Sequence, residues 1–280
     1  ALAIHNDTSH KFTVNFGQKS FAYTPPSGFV ALQQDNLPET ESGISDLVWI
    51  KNRDAGDSHQ LYDSTRGPQK DLNPDGTVAE STTTDGLQKF LKGGCQIEDD
   101  VSVNTSGESY VSWNWVANGG TTAANTDGSG ASIASTVQAN QTAGFSIIKF
   151  EGTGSNGTVA HGLSQTPEWV MLKNLDQSAG GSGDFMIWHK HLTSAVKYIS
   201  LNDNDAEADL ATAWNSTAPT SSVISIGTAT RTNNDNDDHI IYAWHSVAGY
   251  SKFGTYFGNS SSDGTFVYTG FLPAWLMIKR

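Results

Sequence analysis

The sequence predicts an all-β fold, made of tandem β-sandwich domains with antiparallel strands. Apolar and polar residues alternate in short runs, for example at 110–116, 145–150 and 197–201, and a period of two places the apolar side chains on one face of a strand. Turn-forming residues such as those at 74–76 bound these runs, and long helical periodicity is absent. These patterns favour packed sheets over helical layers.

The composition allows folded cores and argues against two classes of partner. Hydrophobic residues make up 36% of the chain, which is enough for buried cores. The net charge is −13 with only 16 Lys and Arg, whereas a nucleic-acid binder needs a basic face to neutralise phosphates. An anionic membrane surface would repel such a chain, and no stretch approaches the roughly 20 apolar residues of a membrane span. We therefore expect neither nucleic-acid binding nor membrane insertion.

A six-residue strand pattern recurs along the chain. The pattern at 47–52 returns at 169–174 and again at 275–280, with its lysines 122 and then 106 residues apart. A second correspondence links 111–115 with 240–244, and its order relative to the first is kept. The spacing predicts a repeat of about 100 to 120 residues, which is the size of one β-sandwich domain.

The repeats divide the chain into five segments. Residues 143–248 are a complete repeat, 41–118 are a partial or divergent first copy, and 249–280 are the truncated start of a third. Residues 119–142, rich in Gly, Thr, Asn and Ser, are predicted to be a connector, either a linker or a strand laid along a neighbour. Residues 1–40 belong to a different module.

Several stretches resemble proteins of tailed phages. The stretches 14–18, 21–32 and 36–38 resemble the C-terminal end of a SPRY-type, concanavalin-like sandwich domain of virion proteins. Later stretches are similar to an uncharacterised repeat of marine-phage tail, fibre and virion-surface proteins; they lie at 48–54, 110–113, 161–163, 213–223 and 249–254. The strings at 213–223 and 249–254 are the more specific of these. The resemblance covers nearly the whole chain but supplies no catalytic residues.

The resemblance implies a virion-surface, extracellular structural protein. We expect a tail fibre or appendage segment that presents β-sandwich modules for host attachment. Its partners would be copies of itself, since fibres are commonly trimers, other virion proteins, and a host surface glycan. One alternative is a capsid decoration or extracellular fibril subunit with a purely structural role, which predicts buried Trp-bearing strands and no ligand groove. A glycan depolymerase would instead need a cleft with paired carboxylates.

No enzyme motif or cofactor site is visible in the sequence, so we expect no catalytic activity. Calcium is the one ion considered, because two Asn/Asp-rich runs supply oxygen ligands; the candidates are Asp203, Asp205, Asp235 and Asp237. The alternative is that both runs are solvated turns. Trp188 and Trp214 are candidates for stacking on a sugar ring, with the alternative that both indoles fill the end of a sandwich.

Overall fold

A computed structural model describes residues 44–125, 130–177 and 183–279. The predicted SPRY-like segment, residues 1–40, lies outside these ranges. Within them the chain is almost entirely β, and the strand pairs are antiparallel, so the predicted all-β, antiparallel class is confirmed. No helix in the described ranges has the length and apolar character that crossing a bilayer requires.

The elements follow one another in short segments, each ended by turn residues. They are β1 (Leu47–Asn52), β2 (Gln60–Asp63), β3 (Lys70–Asp71), β4 (Ser81–Thr82), β5 (Leu87–Leu91), β6 (Gly94–Ile97), α1 (Val101–Asn104), β7 (Tyr110–Trp115), β8 (Ala123–Asn125), β9 (Ser135–Asn140), β10 (Phe145–Glu151), β11 (Gly157–Ala160), β12 (Trp169–Asn174), β13 (Met186–His189), β14 (Lys197–Ser200), β15 (Ala208–Asp209), β16 (Val223–Ile226), α2 (Thr230–Asn233) and β17 (Asp238–Trp244). The predicted strands at 110–116, 145–150 and 197–201 correspond to β7, β10 and β14.

Two sheets carry the architecture. The larger has eight strands in the order β15-β14-β13-β12-β17-β10-β9-β8, and the smaller has three in the order β2-β1-β7. Three two-stranded sheets, β11-β16, β3-β4 and β5-β6, accompany them. Five of the seven neighbouring pairs in the large sheet are consecutive in the chain, and β17 is the exception, because it inserts between β12 and β10.

Period-two alternation divides the buried side chains among three clusters. The central cluster lies between the two larger sheets and receives Leu47 and Trp49 from β1 and Met171 from β12. The opposite faces of the same strands enter two outer clusters, Val48 on the side of the β5-β6 hairpin and Val170 on the side of β11-β16. Each strand is therefore buried on both faces, which explains the nearly continuous apolar runs in β1 and β12.

The pairing registers reproduce the repeat read from the sequence. β1 lies between β2 and β7, and β12 lies between β13 and β17. Lys51 stands opposite Val111 in the first unit, and Lys173 stands opposite Ile240 in the second. The correspondence between 111–115 and 240–244 therefore holds residue by residue. Both units turn the same face into the central cluster, so they pack through equivalent surfaces.

The sequence predicts separate sandwich domains, but the two repeats share one apolar cluster. Residues of the 41–118 and 143–248 segments fill one apolar cluster, and all described residues fall in one compact unit. In the predicted connector, β8 and β9 pair with each other, and β9 pairs with β10. The described part of 119–142 therefore contributes two strands to the edge of the large sheet. From 252 to 279, the described residues form no strand.

Candidate functional site

Each repeat ends its central strand in the same corner, Lys-Asn-x-Asp, at 51–54 and 173–176. The Asn52 Oδ1 accepts a hydrogen bond from the Asp54 amide at 3.0 Å, and Asn174 Oδ1 accepts one from Asp176, also at 3.0 Å. The aspartate then accepts the backbone N–H at the start of the paired strand, over 2.5 Å at Asp54 and 2.6 Å at Asp176. The Asn and Asp side chains of this corner thus join two strands to each other, and their hydrogen-bonding groups are used in that structural role.

The lysine of each corner donates to backbone carbonyls. Lys51 Nζ reaches the Ala55 oxygen at 3.2 Å, and Lys173 Nζ reaches the equivalent Gln177 oxygen at 3.3 Å. Lys173 also donates to Gly183 O at 2.6 Å and is fully buried. Burial lowers the pKa of Lys173 to about 8, and the nearby Asp184 carboxylate opposes that shift. Because its ammonium is held by carbonyls, we interpret Lys173 as a structural joint.

Two of the calcium candidates lie next to the second corner, in the turn before β17. Asp237 Oδ2 accepts amide hydrogen bonds from Asn174 at 2.9 Å, Gln177 at 2.8 Å and Asn234 at 2.8 Å. Burial alone would raise the pKa of Asp237, but these hydrogen bonds hold it below its usual value. Asp235 accepts from the Asn236 side chain at 2.9 Å. A calcium ion is coordinated by oxygen atoms, whereas these carboxylates face N–H donors, so the observed surroundings do not suit a cation.

The other two candidates lie in a different turn. Asp203 Oδ1 accepts the Asp205 amide at 3.0 Å and lies 3.9 Å from Lys279 Nζ. Nowhere in the described ranges do three His, Cys, Asp or Glu side chains come together as a metal site. The structure thus places the four aspartates in hydrogen-bonded turns and does not assemble them around a common point.

Both sugar-stacking candidates are buried. Trp188 is 6% exposed and Trp214 1%, and both belong to the outer cluster beside β11-β16. Neither indole presents a face that could stack on a sugar ring, so that interpretation is corrected. The alternative, that they fill the interior, agrees with their positions. Sequence alone could not settle this, because Trp214 follows a polar, turn-rich stretch that resembles a surface loop.

A buried ionic group joins the two repeats. The Arg66 guanidinium pairs with the Asp63 carboxylate, and its Nη1 donates to Glu80 Oε2 at 3.1 Å. The Tyr242 hydroxyl of β17 donates to Asp63 Oδ2 at 2.6 Å. Burial raises the pKa of Tyr242, and Asp63 adds to the shift while Arg66 opposes it. Asp63 is fully buried, so its acceptors serve the fold and are closed to solvent.

Asp46 forms a second buried node. Its two carboxylate oxygens accept the backbone amides of Ala117 at 2.7 Å, Gly119 at 2.9 Å and Gly120 at 2.7 Å. Ser64 Oγ donates to Asp46 at 2.7 Å. The node therefore fixes the loop after β7 against β1. No sequence pattern indicates this node, since an Asp before an apolar strand usually caps a turn at the surface.

Exposed apolar surface is concentrated in residues 250–279, here called the C-terminal segment. Of the eleven large apolar side chains that stand exposed in the described ranges, nine lie in it. They are Tyr250, Tyr256, Phe257, Phe266, Val267, Tyr268, Leu272, Leu276 and Ile278. Phe257 is 93% exposed and Leu272 is 95% exposed. A concentration of exposed apolar side chains in one segment indicates a site of protein association.

Residues 275–279, the third copy of the strand pattern, are packed on one face only. Trp275 and Met277 pack against the central cluster, and the Trp275 ring lies 5.5 Å from Trp115. Leu276 and Ile278 point the other way and are 67% and 62% exposed. In the other two copies of the pattern, the equivalent positions are at most 4% exposed, at Val48, Ile50, Val170 and Leu172. The third copy therefore has its inner face packed and its outer face uncovered.

Comparison with known families places this arrangement in one of them. The model of a domain of unknown function, DUF7483, matches residues 35–280. The chain belongs to the DUF7483 family. Comparison with curated proteins and with solved structures returns no match. The matched range includes both repeats and the C-terminal segment, so the shared core and the exposed surface both belong to the DUF7483 domain.

One shallow, open depression of about 440 Å³ lies on the DUF7483 domain, between the end of β7 and the end of β9. Its lining residues are Val116, Ala117, Asn118, Gly119, Ala139, Asn140 and Gln141. None of these carries a carboxylate, an imidazole or a thiol. The lining offers amide and backbone hydrogen bonds only, so it has no group for acid–base or nucleophilic chemistry.

Proposed function

We propose that this DUF7483 chain is a structural protein of a phage virion, in a tail fibre or appendage that presents β modules for attachment to the host surface. The exposed apolar C-terminal segment is the observation that carries the proposal, because it is the surface expected of an assembling subunit. The repeated antiparallel units and the acidic composition support it. The resemblance of 213–223 and 249–254 to virion-surface proteins supports the proposed location.

The proposed mechanism is mechanical and multivalent. A core fastened by buried polar joints gives a rigid body, and many copies sum weak contacts to a host glycan into firm attachment. The partners are copies of the same chain and other virion proteins. Association would also cover strand edges that a lone subunit leaves open. No catalytic step is part of this proposal.

A second function is favoured by a specific observation. A capsid decoration or extracellular fibril subunit with a purely structural role expects the Trp-bearing strands to be buried at an interface. Trp49, Trp169 and Trp244 are 6%, 7% and 4% exposed, in the cluster where the two repeats meet. This alternative shares the assembly surface and differs in having no receptor contact.

Imaging of intact particles tests the two functions against each other. Antibody raised against the purified chain is expected to label a tail fibre or appendage, and the purified chain is expected to compete with particles for adsorption to host cells. Label spread evenly over the capsid, with no competition, would overturn the attachment role and leave the structural one. Particles carrying no label would overturn both virion roles and leave only the extracellular fibril subunit.

A further inference from the structure

Among the described residues, the first repeat lacks a strand that the second repeat has. In the second repeat, β17 lies between β12 and β10. Its equivalent in the first repeat, β7, pairs with β1 on one side. Within the described ranges no strand occupies the other side of β7. The vacant position is thus the one that β10 fills beside β17.

The backbone of β7 is oriented to accept such a strand. The carbonyls of Ser109 and Trp115 accept hydrogen bonds from β1 and its flank, each at 2.9 Å. Because the hydrogen-bonding direction alternates along an antiparallel strand, the N–H and C=O groups of Tyr110, Ser112 and Asn114 point to the open side. An edge of this kind is a template for pairing with another chain.

The same chain carries a second, unpaired version of β10. By the 106-residue spacing, residues 251–257 correspond to 145–151. Beyond the isolated bridge between Val247 and Ser251, these residues form no ladder in the described structure. Tyr256 is 46% exposed and Phe257 is 93% exposed. Within the described ranges, the chain therefore has both an unpaired edge on β7 and a second copy of the strand that covers the equivalent edge of β17.

The side chains agree with the register that the second repeat prescribes. Transferring the β10–β17 pairing to β7 and residues 251–257 gives three central pairs, Trp113–Phe253, Ser112–Gly254 and Asn114–Lys252. The first is apolar and faces the central-cluster side, where aromatic cross-strand pairs stabilise sheets. The other two are small or polar and face outward, where Ser112 and Asn114 are already exposed.

We propose that residues 251–257 of one copy add as a strand to β7 of a second copy, joining chains head to tail. Within one chain, the segment is fixed elsewhere at its start. The Phe253 amide donates to Ser246 Oγ at 3.1 Å, and the Phe253 ring lies 5.8 Å from Trp169 of β12. Strand addition exchanges that half-buried ring contact for the equivalent one with Trp113 of the second copy.

Head-to-tail pairing uses two different surfaces of the chain, so it repeats. Such heterologous contacts generate a ring when the rotation closes and a filament when it does not. The interface follows from the repeat geometry and does not depend on the virion role. Chains that join in this register but occur in no virion would support the interface and overturn only the proposed function.

Single-cysteine variants test the register. In a Cys95→Ser background, an Asn114→Cys chain and a Lys252→Cys chain with different mass tags are mixed and oxidised. Directly opposed residues lie within disulfide distance, so a mixed dimer is expected. Ser112→Cys mixed with Lys252→Cys is the matched control, because that diagonal pair lies about 7–8 Å apart and is expected to cross-link poorly. Absence of the Asn114→Cys/Lys252→Cys dimer would overturn the proposal. A single chain that carries both cysteines and cross-links only to itself would overturn it as well.

A backbone variant tests the same strand without cysteine. Gly254 lies outside the strands, and a Cβ built there meets no atom within 4 Å, so Gly254→Ala introduces no clash, and urea unfolding of the Gly254→Pro chain checks that this variant is folded. Gly254→Pro removes the N–H that would face Ser112, and it is expected to weaken self-association roughly tenfold or more in sedimentation equilibrium. Gly254→Ala keeps the N–H and is expected to associate as the parent does. Equal association of the Pro variant and the parent would rule out strand addition.

Discussion

The buried polar groups of this chain link strands to each other, and substitutions that remove a single hydroxyl or amide test each link. Tyr242 is the clearest case, because its hydroxyl in the second repeat donates at 2.6 Å to Asp63 in the first. Asp63 keeps Arg66 and two backbone amides as partners when that donor is lost. The Tyr242 contact is therefore a removable link between the repeats.

Tyr242→Phe is expected to lower the free energy of unfolding by about 1.5–3 kcal/mol, the range for a hydrogen bond to a charged group. Urea unfolding of the full chain measures the change. Tyr62→Phe is the matched control, since Tyr62 is equally buried and its hydroxyl, which lies by the Leu87 backbone, makes no link to the second repeat among the described residues. A Tyr62→Phe cost as large as that of Tyr242→Phe would show that the link contributes nothing specific.

His161 gives the stability a pH dependence. Its ring is buried, accepts the Leu163 amide at 3.1 Å and lies 3.2 Å from the Thr220 carbonyl, so it is held neutral. Burial lowers its pKa to about 4, against the opposing effect of that carbonyl. The unfolded chain therefore binds a proton that the folded chain does not, between about pH 6.5 and 4. This contribution is complete above pH 6.5 and is lost as the pH falls.

We expect the free energy of unfolding to fall by up to about 3 kcal/mol from this ring as the pH drops through that window. Because the carboxylates titrate as well, the measurement is the difference between the parent and His161→Gln, whose amide can both donate and accept. The variant should show the shallower slope. Parallel slopes would mean that His161 is not held neutral.

At the scale of elements, the two Lys-Asn-x-Asp corners do equivalent work in both repeats. Asn52→Ala and Asn174→Ala are each expected to cost about 1–3 kcal/mol, because each removes buried partners from a strand end. Both residues are buried, at 1% and 0% exposure, so the two costs should agree within about 1 kcal/mol. Chemical unfolding measures both, and Asn114→Ala on the exposed side of β7 should be nearly neutral. Widely different costs would contradict the equivalence.

The strands show how far sequence reasoning reaches here. Alternation located β7, β10 and β14, and the match of 111–115 to 240–244 anticipated the paired registers, because period and spacing are local properties of the sequence. Alternation does not say what an apolar face meets. The face-to-face packing of the repeats, the Arg66 joint and the uncovered outer face of 275–279 therefore had no local signal. Of the proposed sites, the aspartate turns stayed ordinary turns, and both tryptophans turned inward.

For the whole molecule, one shared cluster means one cooperative unit. Leu47 of the first repeat and Ile240 of the second are fully buried in it. Leu47→Ala and Ile240→Ala are each expected to cost about 2–5 kcal/mol. Hydrogen exchange read by mass spectrometry should show each variant weakening protection in β1 and β12 alike. Val101→Ala, at a 64% exposed position, is the neutral control. A loss confined to the mutated repeat would mean that the repeats unfold separately.

The contact between equivalent faces also constrains how the two copies could diverge after a duplication. A substitution on one inner face must be accommodated by the other copy, so those positions are expected to change in compensating pairs. Among the described residues, the outer faces do not contact each other, so they can change independently, and they differ in residue type and in burial. Where the second copy keeps Ile241 and Ala243 buried, the first exposes Ser112 and Asn114. In the second copy β17 is enclosed on both faces, whereas in the first copy β7 has kept a face that water can reach.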